Sequence, residues 1–354
     1  MMRFFNFMRC SLSVALTAFL FLSCGKDKMD VNTGADFAKG VFIVNEGQFG
    51  SGTGTITYFN PDTDSLIQDV FRRQNEGRPL GNIAQSMIGV GDKYFIAVNN
   101  AAKVVVVNRN DFKLIKEIDN IFLPRYFAHS GSDLFVTAWG ADFASGEIVV
   151  IDVNALTIKS RIAVGGAPEG LWIKGQKLYA AISTVVTPSD QVAVIDIDEL
   201  KILKTVLVSD NPKFFTEDAS GNIWVLCSGN TDFSNPANNT EGALVKFNND
   251  SPSTAYVLPN GSNYITVNTG KNAAYYALGG QIKSVNLGDG SEQVVYDSNA
   301  FIYYLTWDTQ KNVFYLSDPG DFQSAGKVTV LNGQGQVQRT IDAGIIPGYI
   351  YIAN

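Results

Sequence analysis

Short apolar runs recur along the chain at a nearly constant spacing, each followed by the same kind of segment. The runs are four or five residues long and rich in Val, Ile, Phe and Tyr, a composition typical of β-strands. The seven copies are Val41 to Val44, Tyr94 to Val98, Leu134 to Thr137, Leu178 to Ala181, Ile223 to Leu226, Ala274 to Ala277 and Val313 to Leu316. Self-similarity of this kind predicts a repeat architecture.

A second predicted strand follows each copy and ends in Asn or Asp. These anchors lie 38 to 52 residues apart, at Asn60, Asn108, Asp152, Asp196, Asn248, Asn286 and Asn332. Asn and Asp suit the position because their side chains cap tight turns. A third strand alternates apolar and polar residues, as in Lys201 to Val208, and a fourth precedes the next copy, as in Glu169 to Ile173.

Four strands per repeat and a period near 45 residues are typical of β-propeller blades. A β-solenoid would have shorter and more uniform rungs, and a row of sandwiches would need about 100 residues for each domain. The sequence therefore predicts an all-β fold, a seven-bladed β-propeller of four-stranded antiparallel blades over residues 40–354. Because the first copy lacks its innermost strand, we expect the C-terminal strand, Ile345 to Ile352, to close the ring and leave no free sheet edge.

The first residues have the order of an export signal. Arg3 and Arg9 precede an uncharged apolar run, Cys10 to Ser23, which is too short to span a bilayer comfortably. Phe21 to Gly25 (FLSCG) resembles the bacterial lipobox, in which the cysteine after the cleavage point receives lipid. We expect a signal peptide over residues 1–23 and a flexible tether over residues 24–39 that starts at lipidated Cys24. The alternative is an ordinary secretory signal with an incidental cysteine.

Composition and charge narrow the classes of function. Hydrophobic residues make up 45% of the chain and charged residues 17%, so a packed core is expected. The formal net charge of -7 disfavours nucleic acid as a partner, because its phosphates would be repelled. The single histidine, His129, leaves few schemes for histidine-based catalysis or multi-histidine metal sites. The sequence predicts no catalytic residues, no metal site and no cofactor, and hence a protein that is not an enzyme.

Long loops are predicted on one face of the propeller. Counted from the axis, the recurring strand is the second of its blade and the strand that ends in Asn or Asp is the third. The loops between these two strands share that face with the links between blades, and several of them are long. They carry aromatic residues among small and polar ones, namely Phe49, Trp139, Phe143, Phe233 and Phe322. Loops held on a rigid frame often bind ligands. The alternative is that these aromatic residues only pin their own loops.

Aligning the blades places one residue at the start of each innermost strand, around the mouth of the axial channel. This set comprises Gln85, Arg125, Glu169, Lys213, Tyr264, Tyr303 and Gly348. Its charged members, Arg125, Glu169 and Lys213, form either a structural ring of ion pairs or the polar floor of a ligand site. Asn45, Glu46, Gln48 and Asp142 add hydrogen-bonding groups in the neighbouring loops.

Two resemblances add to this interpretation. Phe135 to Thr137, the endings Val150 to Asp152 and Val194 to Asp196, and the junction Ile162 to Gly165 resemble YVTN or surface-layer-type seven-bladed propellers. The opening Gly40 to Gly50 (GVFIVNEGQFG) and the segment Pro79 to Met87, together with the lipobox, resemble surface lipoproteins of gut Bacteroidota. Some of those lipoproteins capture cobalamin and pass it to a TonB-dependent outer-membrane transporter.

The second resemblance implies a non-catalytic lipoprotein, anchored in the outer membrane with its body exposed at the cell surface, that captures cobalamin or a related corrinoid for such a transporter. The expected ligand-binding residues are Asn45, Glu46, Gln48, Phe49, Gln85, Arg125, Trp139, Asp142, Phe143, Glu169, Lys213 and Phe322. One alternative is an adhesin that binds glycans or proteins. Another is a propeller lactonase or lyase that recruits Glu46, Glu169 and Asp318.

Overall fold

The recurring strands pair into antiparallel four-stranded sheets. In the computed structural model, which describes residues 36–183, 188–248 and 250–354, there are seven such sheets, one for each predicted repeat. The all-β, seven-bladed propeller is therefore confirmed. The predicted signal peptide, Cys24 and most of the predicted tether lie outside the described residues, so those assignments stay predictions. No helix in the described part of the chain is long and apolar enough to span a membrane.

The strands of each blade run from the axis outwards. Blade 1 consists of β28 (Pro347–Ala353), β1 (Gly40–Asn45), β2 (Thr55–Asn60) and β3 (Ser65–Ile67). Blades 2 to 4 consist of β4 (Ala84–Val90), β5 (Lys93–Val98), β6 (Lys103–Asn108) and β7 (Leu114–Asp119); β8 (Pro124–Ser130), β9 (Asp133–Ala138), β10 (Glu147–Asp152) and β11 (Thr157–Ala163); and β12 (Ala167–Lys174), β13 (Lys177–Ser183), β14 (Gln191–Asp196) and β15 (Lys201–Leu207).

The remaining blades repeat the arrangement. Blades 5 to 7 consist of β16 (Pro212–Glu217), β17 (Ile223–Cys227), β18 (Gly242–Asn248) and β19 (Ser251–Leu258); β20 (Asn263–Val267), β21 (Ala273–Leu278), β22 (Gln281–Asn286) and β23 (Glu292–Asp297); and β24 (Tyr304–Asp308), β25 (Val313–Asp318), β26 (Ala325–Asn332) and β27 (Val337–Ile345). One short α-helix, α1 (Val70–Gln74), and 3-10 turns at Asn99–Ala101 and Pro236–Asn238 interrupt the strands of the described residues.

The C-terminal strand closes the ring. Strand β28 pairs antiparallel with β1, with Ile350 opposite Ile43 and Tyr351 opposite Phe42. The innermost position of blade 1 is therefore filled from the far end of the chain, as the sequence predicts. Closure removes two exposed sheet edges that would otherwise be free to pair with other chains.

The predicted anchors end the third strand of every blade. In six of them the side-chain oxygen accepts a hydrogen bond from the backbone N–H two residues later, as from Asn110 to Asn108 (2.8 Å) and from Asn154 to Asp152 (2.8 Å). This Asx turn reverses the chain within a few residues, which is why Asn or Asp recurs there.

Packing begins before the predicted start of the propeller at residue 40. Phe37 is fully buried, and its ring meets that of Tyr58 edge to face with centroids 4.9 Å apart. The Tyr94 hydroxyl donates a hydrogen bond to the Phe37 carbonyl oxygen (2.7 Å). Phe71 of α1 belongs to the same core cluster, between blades 1 and 2. The end of the predicted tether is therefore part of the packed body.

Candidate functional site

β-Bulges at the start of the innermost strands aim particular residues at the axis. The register skips one residue near the beginning of β4, β8, β12, β16, β20 and β28. The skipped segments contain Gln85, Arg125, Glu169, Lys213, Tyr264 and Gly348, six of the seven aligned positions. A bulge re-aims its extra residue. The local irregularity of the strand therefore builds the mouth of the channel.

The charged members of this set form one network. Arg125 Nε and Nη2 donate to Glu169 Oε2 at 3.1 and 3.0 Å, and Nη2 also reaches Oε1 at 3.2 Å. Arg125 Nη1 donates to Gln85 Oε1 at 2.9 Å. Lys213 Nζ lies 3.6 Å from Glu169 Oε1. Four successive blades thus contribute to one polar cluster, with Glu169 almost fully buried at its centre.

Trp139 contacts the polar cluster through Arg125. Its ring lies 4.2 Å from the Arg125 guanidinium carbon, a cation–π contact, and its indole N–H donates to the Pro168 carbonyl oxygen at 3.1 Å. Phe143 meets Trp139 edge to face at 6.1 Å and remains exposed. The predicted pair therefore divides its roles: Trp139 fixes the arginine, and Phe143 offers a surface.

An aromatic floor lies beneath the polar cluster. It consists of five rings from five innermost strands: Tyr126, Phe214, Tyr264, Tyr304 and Tyr349. Successive ring centroids are 5.1, 5.0, 4.7 and 4.8 Å apart, and Tyr349 returns to Tyr126 at 6.2 Å. The five rings form a closed cycle around the axis of the propeller.

Glycine leaves room for this floor in blade 4. A Cβ atom at Gly170 would come within 2.5 Å of the Lys213 carbonyl oxygen and 3.1 Å of Phe214. A larger residue there would push against the strand that carries Phe214. The floor therefore depends on a small residue in one blade and aromatic residues in five others.

Glu46 lies beside the floor with few partners. The Tyr303 hydroxyl donates to it at 3.3 Å from each carboxylate oxygen. No lysine or arginine of the described residues lies within ion-pair distance of Glu46. Burial raises the pKa of the Glu46 carboxyl, while Arg125 and the Tyr303 hydrogen bond oppose that shift. A half-buried carboxyl whose pKa is perturbed, beside other charged groups, is a candidate functional group.

A second aromatic group borders Glu46. Tyr303 and Phe322 meet edge to face at 5.6 Å, and Phe301 lies 6.2 Å from Tyr303 and 6.5 Å from Phe322. Phe301 and Phe322 are exposed, as is Phe49 in the neighbouring loop. This group faces the solvent beside the polar cluster and extends the apolar surface at the mouth.

The loop that carries Gln48 and Phe49 is tied to the next blade. Asn82 Oδ1 accepts from the Gly50 N–H at 2.9 Å, and Asn82 Nδ2 donates to the Gln48 carbonyl oxygen at 2.7 Å. Gln48 Nε2 donates to the Gln323 carbonyl oxygen at 3.4 Å. The two segments that carry the resemblance to gut Bacteroidota lipoproteins, residues 40–50 and 79–87, therefore meet through Asn82.

Two of the expected ligand-binding residues make hydrogen bonds within the protein that explain their positions. Asn45 is buried; its amide nitrogen contacts Thr55 and Thr57 at 3.1 Å and its oxygen accepts from the Gly344 N–H at 2.9 Å. Asp142 accepts from Ser145 and the Ala144 N–H, and these hydrogen bonds lower the pKa of its carboxyl to about 2. Asn45 joins strands, and Asp142 shapes its own loop.

The exposed aromatic side chains are confined to one face. Within the described residues, six phenylalanines are exposed, and all six lie on loops between second and third strands or on links between blades: Phe49, Phe122, Phe143, Phe233, Phe301 and Phe322. The other exposed large hydrophobic residues are aliphatic and lie on outermost strands, as Leu66 does on β3. We call this surface the loop face.

The opposite face has a different character. A cavity of about 360 Å³ opens there between blades 4 and 5, and polar side chains dominate its rim. It is lined by Lys174, Gln176, Lys177, Tyr179, Asn222, Ile223, Phe247, Asn248 and Asp250. Asp250 is bound there by Lys177 and Tyr179. None of the exposed phenylalanines of the described chain lies on this side.

Sequence reasoning missed the aromatic floor, Phe122 and Phe301. The floor had a detectable signal, because the residue after the aligned position is aromatic in four blades: Tyr126, Phe214, Tyr304 and Tyr349. Phe301 had a weaker signal, since it lies on a short link between two blades rather than in one of the long loops. Of the residues expected at the mouth, Gln85, Arg125, Glu169 and Lys213 do come together.

Comparison with known proteins places the chain by family and by fold. A family model described as "Domain of unknown function (DUF5074)" matches residues 39–318. No curated protein matches the sequence.

Several solved structures share the fold. A quinonprotein alcohol dehydrogenase-like protein of Bacteroides thetaiotaomicron is 17% identical, with a TM-score of 0.68 over 91% of this chain and 80% of its own. A functionally unknown protein of Desulfotomaculum acetoxidans is 11% identical, with a TM-score of 0.68 over 89% of this chain and 99% of its own. Hydrazine synthase of Kuenenia stuttgartiensis is 15% identical, with a TM-score of 0.61 over 75% of this chain and 90% of its own. At such identities the likeness shows the fold alone.

These similarities correct one expectation. The sequence predicts a protein that is not an enzyme, largely because it has a single histidine. Proteins with enzyme or enzyme-like names nevertheless share this propeller fold. The prediction that the chain is not an enzyme is therefore wrong as an inference from fold and composition.

Proposed function

The chain belongs to the family of domains of unknown function DUF5074, and from the geometry of its loop face we propose that it captures a large amphipathic ligand, namely cobalamin or a related corrinoid. One observation carries the proposal: all six exposed phenylalanines of the described residues surround one face, at whose centre lies a polar cluster. Concave sites that combine apolar surface with a few fixed polar groups are typical of ligand binding.

The chemistry of a corrin suits this surface. Its ring presents broad apolar faces, and primary amides extend from its edge. Phe143 and Phe322 offer exposed apolar area on two sides of the mouth, and Gln85, Lys213 and Tyr303 offer hydrogen-bonding groups between them. The closed ring of blades holds these groups in place, which lowers the ordering cost of binding.

The positive and negative charges of the polar cluster and the neighbouring Glu46 are balanced in number. This balance favours a ligand whose contacting groups are neutral, such as the primary amides of a corrin. Arg125 and Lys213 carry positive charge, and Glu169 and Glu46 are the two carboxyl groups beside them. Arg125 is already bound at two points by Glu169, so its charge is largely compensated. Strongly anionic ligands would find little free positive charge in this cluster.

The place of capture and the partner complete the proposal. We propose that Cys24 carries lipid that anchors the protein in the outer membrane, with the propeller at the cell surface. From there it would pass the corrinoid to a TonB-dependent transporter. The support for both is the lipobox-like segment Phe21 to Gly25 and the motif resemblance of residues 40–50 and 79–87.

Calorimetric titration of the purified protein with cyanocobalamin tests the proposal. Removing an aromatic contact at a binding hot spot costs about 2 kcal/mol or more, so F143A and F322A should each weaken binding at least tenfold, given about 1.4 kcal/mol for each decade. The matched control is L66A, which removes an exposed apolar side chain from an outermost strand. Absence of heat and of retention on a cobalamin resin for the unaltered protein would overturn the proposed ligand.

A further inference from the structure

We propose that Glu46 is the polar anchor of the loop face, and that its carboxylate accepts the N–H donors of a primary amide on the ligand. The inference deepens the proposed function and rests on it for the identity of the whole ligand. The recognition of an amide by Glu46, however, is a separate property and can be tested separately.

The first reason is the unused hydrogen-bonding capacity of the carboxylate. An ionised carboxylate offers about four lone-pair positions. Glu46 receives one hydroxyl, that of Tyr303, shared between its two oxygens at 3.3 Å, a long distance for an O–H···O contact. Glu46 is half-buried, and acceptors that are shielded from water and receive so few donors are costly, so a donor from a ligand would be stabilising here.

The second reason is the close approach of the Glu46 carboxylate to the backbone of β28. A Cβ atom at Gly348 would lie 2.5 Å from Glu46 Oε1, so the carboxylate lies directly against the backbone of β28. The backbone N–H of Glu46 is itself committed to the Ile346 carbonyl oxygen at 2.8 Å. The backbone hydrogen bond holds the Glu46 main chain against β28, and its carboxylate lies beside the backbone of Gly348 rather than beside a mobile side chain.

The third reason is that the nearby groups fit an amide better than a cation or an anion. The two carboxyl groups, Glu46 and Glu169, are already matched by Arg125 and Lys213, so a cationic ligand would add an unmatched charge to the cluster. An anion would meet the Glu46 carboxylate as a like charge. A primary amide avoids both conflicts, since it is neutral and has two N–H donors together with a carbonyl oxygen.

The amide carbonyl oxygen also has candidate donors. Gln85 uses its side-chain oxygen to accept from Arg125, and its amide nitrogen makes no hydrogen bond within the described part of the chain. Lys213 has further N–H groups beyond its contact with Glu169. The polar cluster therefore offers two kinds of donor in addition to the acceptor Glu46.

Small probes test the contact without the corrin. In protein labelled with ¹³C at the glutamate side-chain carboxyl, the Glu46 resonance is identified by its absence from E46Q. Propionamide should shift this resonance in a saturable way, and propionate at the same concentration should not. The Glu169 resonance serves as an internal reference, because its carboxylate is already bound by Arg125. No shift with propionamide, or an equal shift with propionate, would overturn the inference.

A ligand-side change then tests the same contact in the corrin. Cyanocobalamin derivatives with one propionamide hydrolysed to a carboxylate place a like charge opposite Glu46. At least one such derivative should bind the unaltered protein about tenfold or more weakly than cyanocobalamin, and E46Q should reduce that difference, while E241Q, in an exposed loop of the same face, should not. Equal discrimination in E46Q and the unaltered protein would refute the contact.

The two arms separate the two hypotheses. A propionamide response without any binding of cyanocobalamin would support the amide anchor and overturn the proposed ligand. Binding of cyanocobalamin without a propionamide response or E46Q coupling would support the ligand and overturn the anchor.

Discussion

Arg125 and Glu169, 44 residues apart, meet in a two-point ion pair that joins equivalent positions of blades 3 and 4. The side chains of the pair are 17% and 4% exposed, so most of the interaction lies away from water. Both residues lie in β-bulges, and the stacked Trp139 covers the guanidinium. The pair ties two blades together at the axis and supports the mouth of the site.

Removal of one partner should therefore be costly. We expect E169A to lower the free energy of unfolding by about 3 to 5 kcal/mol, because it leaves a mostly buried arginine without its carboxylate. The double variant R125M/E169L should recover much of that loss, since apolar groups of similar size often replace a buried pair well. Urea denaturation measures both. A loss below about 1 kcal/mol for E169A would show that the pair is solvated.

Glu46 should make stability depend on pH in one direction. Burial raises its pKa above the ordinary 4.5, so the carboxyl binds its proton more tightly in the folded chain than in the unfolded one. Its contribution is present below 4.5 and is lost as the pH rises through the raised value. The melting temperature of E46Q relative to the unaltered protein should therefore increase between about pH 4 and pH 8. A constant difference would contradict the shift.

Asp142 provides the control of opposite sign. Hydrogen bonds from Ser145 and Ala144 lower the pKa of its carboxyl to about 2, so its contribution is present above 3.8 and is lost as the pH falls towards 2. D142N should thus be less stable than the unaltered protein at neutral pH, with a difference that shrinks in acid. The same melting experiments measure it.

Closure by β28 should be essential for folding. Deleting residues 347–354 exposes the edge of β1 and removes buried Ile350, and each fully buried side chain of this kind contributes about 1.5 to 3 kcal/mol. Against a total stability of about 5 to 15 kcal/mol, the truncated chain should unfold or aggregate. A synthetic peptide of residues 345–354 should restore part of its circular dichroism signal. A truncated chain that melts like the full one would contradict closure.

Cys24 should incorporate fatty acid in cells. The lipobox-like segment predicts that labelled palmitate enters the unaltered protein and is absent from C24A. Each buried CH₂ contributes about 0.8 kcal/mol to membrane attachment, so C24A should also leave the membrane fraction. C10A is the matched control, because Cys10 belongs to the predicted signal peptide and should not change labelling. Equal labelling of C24A would contradict the anchor.

The fold could be predicted from the sequence because its determinants are local and repeated. Each blade carries its own apolar second strand and its own Asn or Asp turn, so anchors such as Asn108 and Asp152 mark the same point in successive repeats. Ring closure followed from one missing strand and one spare strand. Gln85, Arg125, Glu169 and Lys213 were located because blade alignment does not require knowledge of side-chain direction.

Side-chain direction is what the sequence could not supply. A β-bulge adds one residue, which reverses the alternation that sequence patterns use to assign faces. Tyr264 was expected at the mouth with Lys213, which occupies the same skipped position, but its ring is part of the floor beside Phe214 and Tyr304. Asn45 was expected to bind a ligand; its amide lies among Thr55, Thr57 and Gly344, contacts that the sequence pattern does not indicate.

The aromatic floor leaves the loop face as the open end of the axial channel for a large ligand. A molecule as wide as a corrin, held over Tyr126, Tyr304 and Tyr349, cannot pass between the five rings, because neighbouring ring centroids lie only 4.7 to 6.2 Å apart. A ligand at this site would enter and leave through the loop face alone. In the proposed function, a receiving protein would therefore have to bind at the loop face while the ligand is still in its site. In this capture function, the exposed phenylalanines of the loop face would be the first groups that a receiving protein contacts.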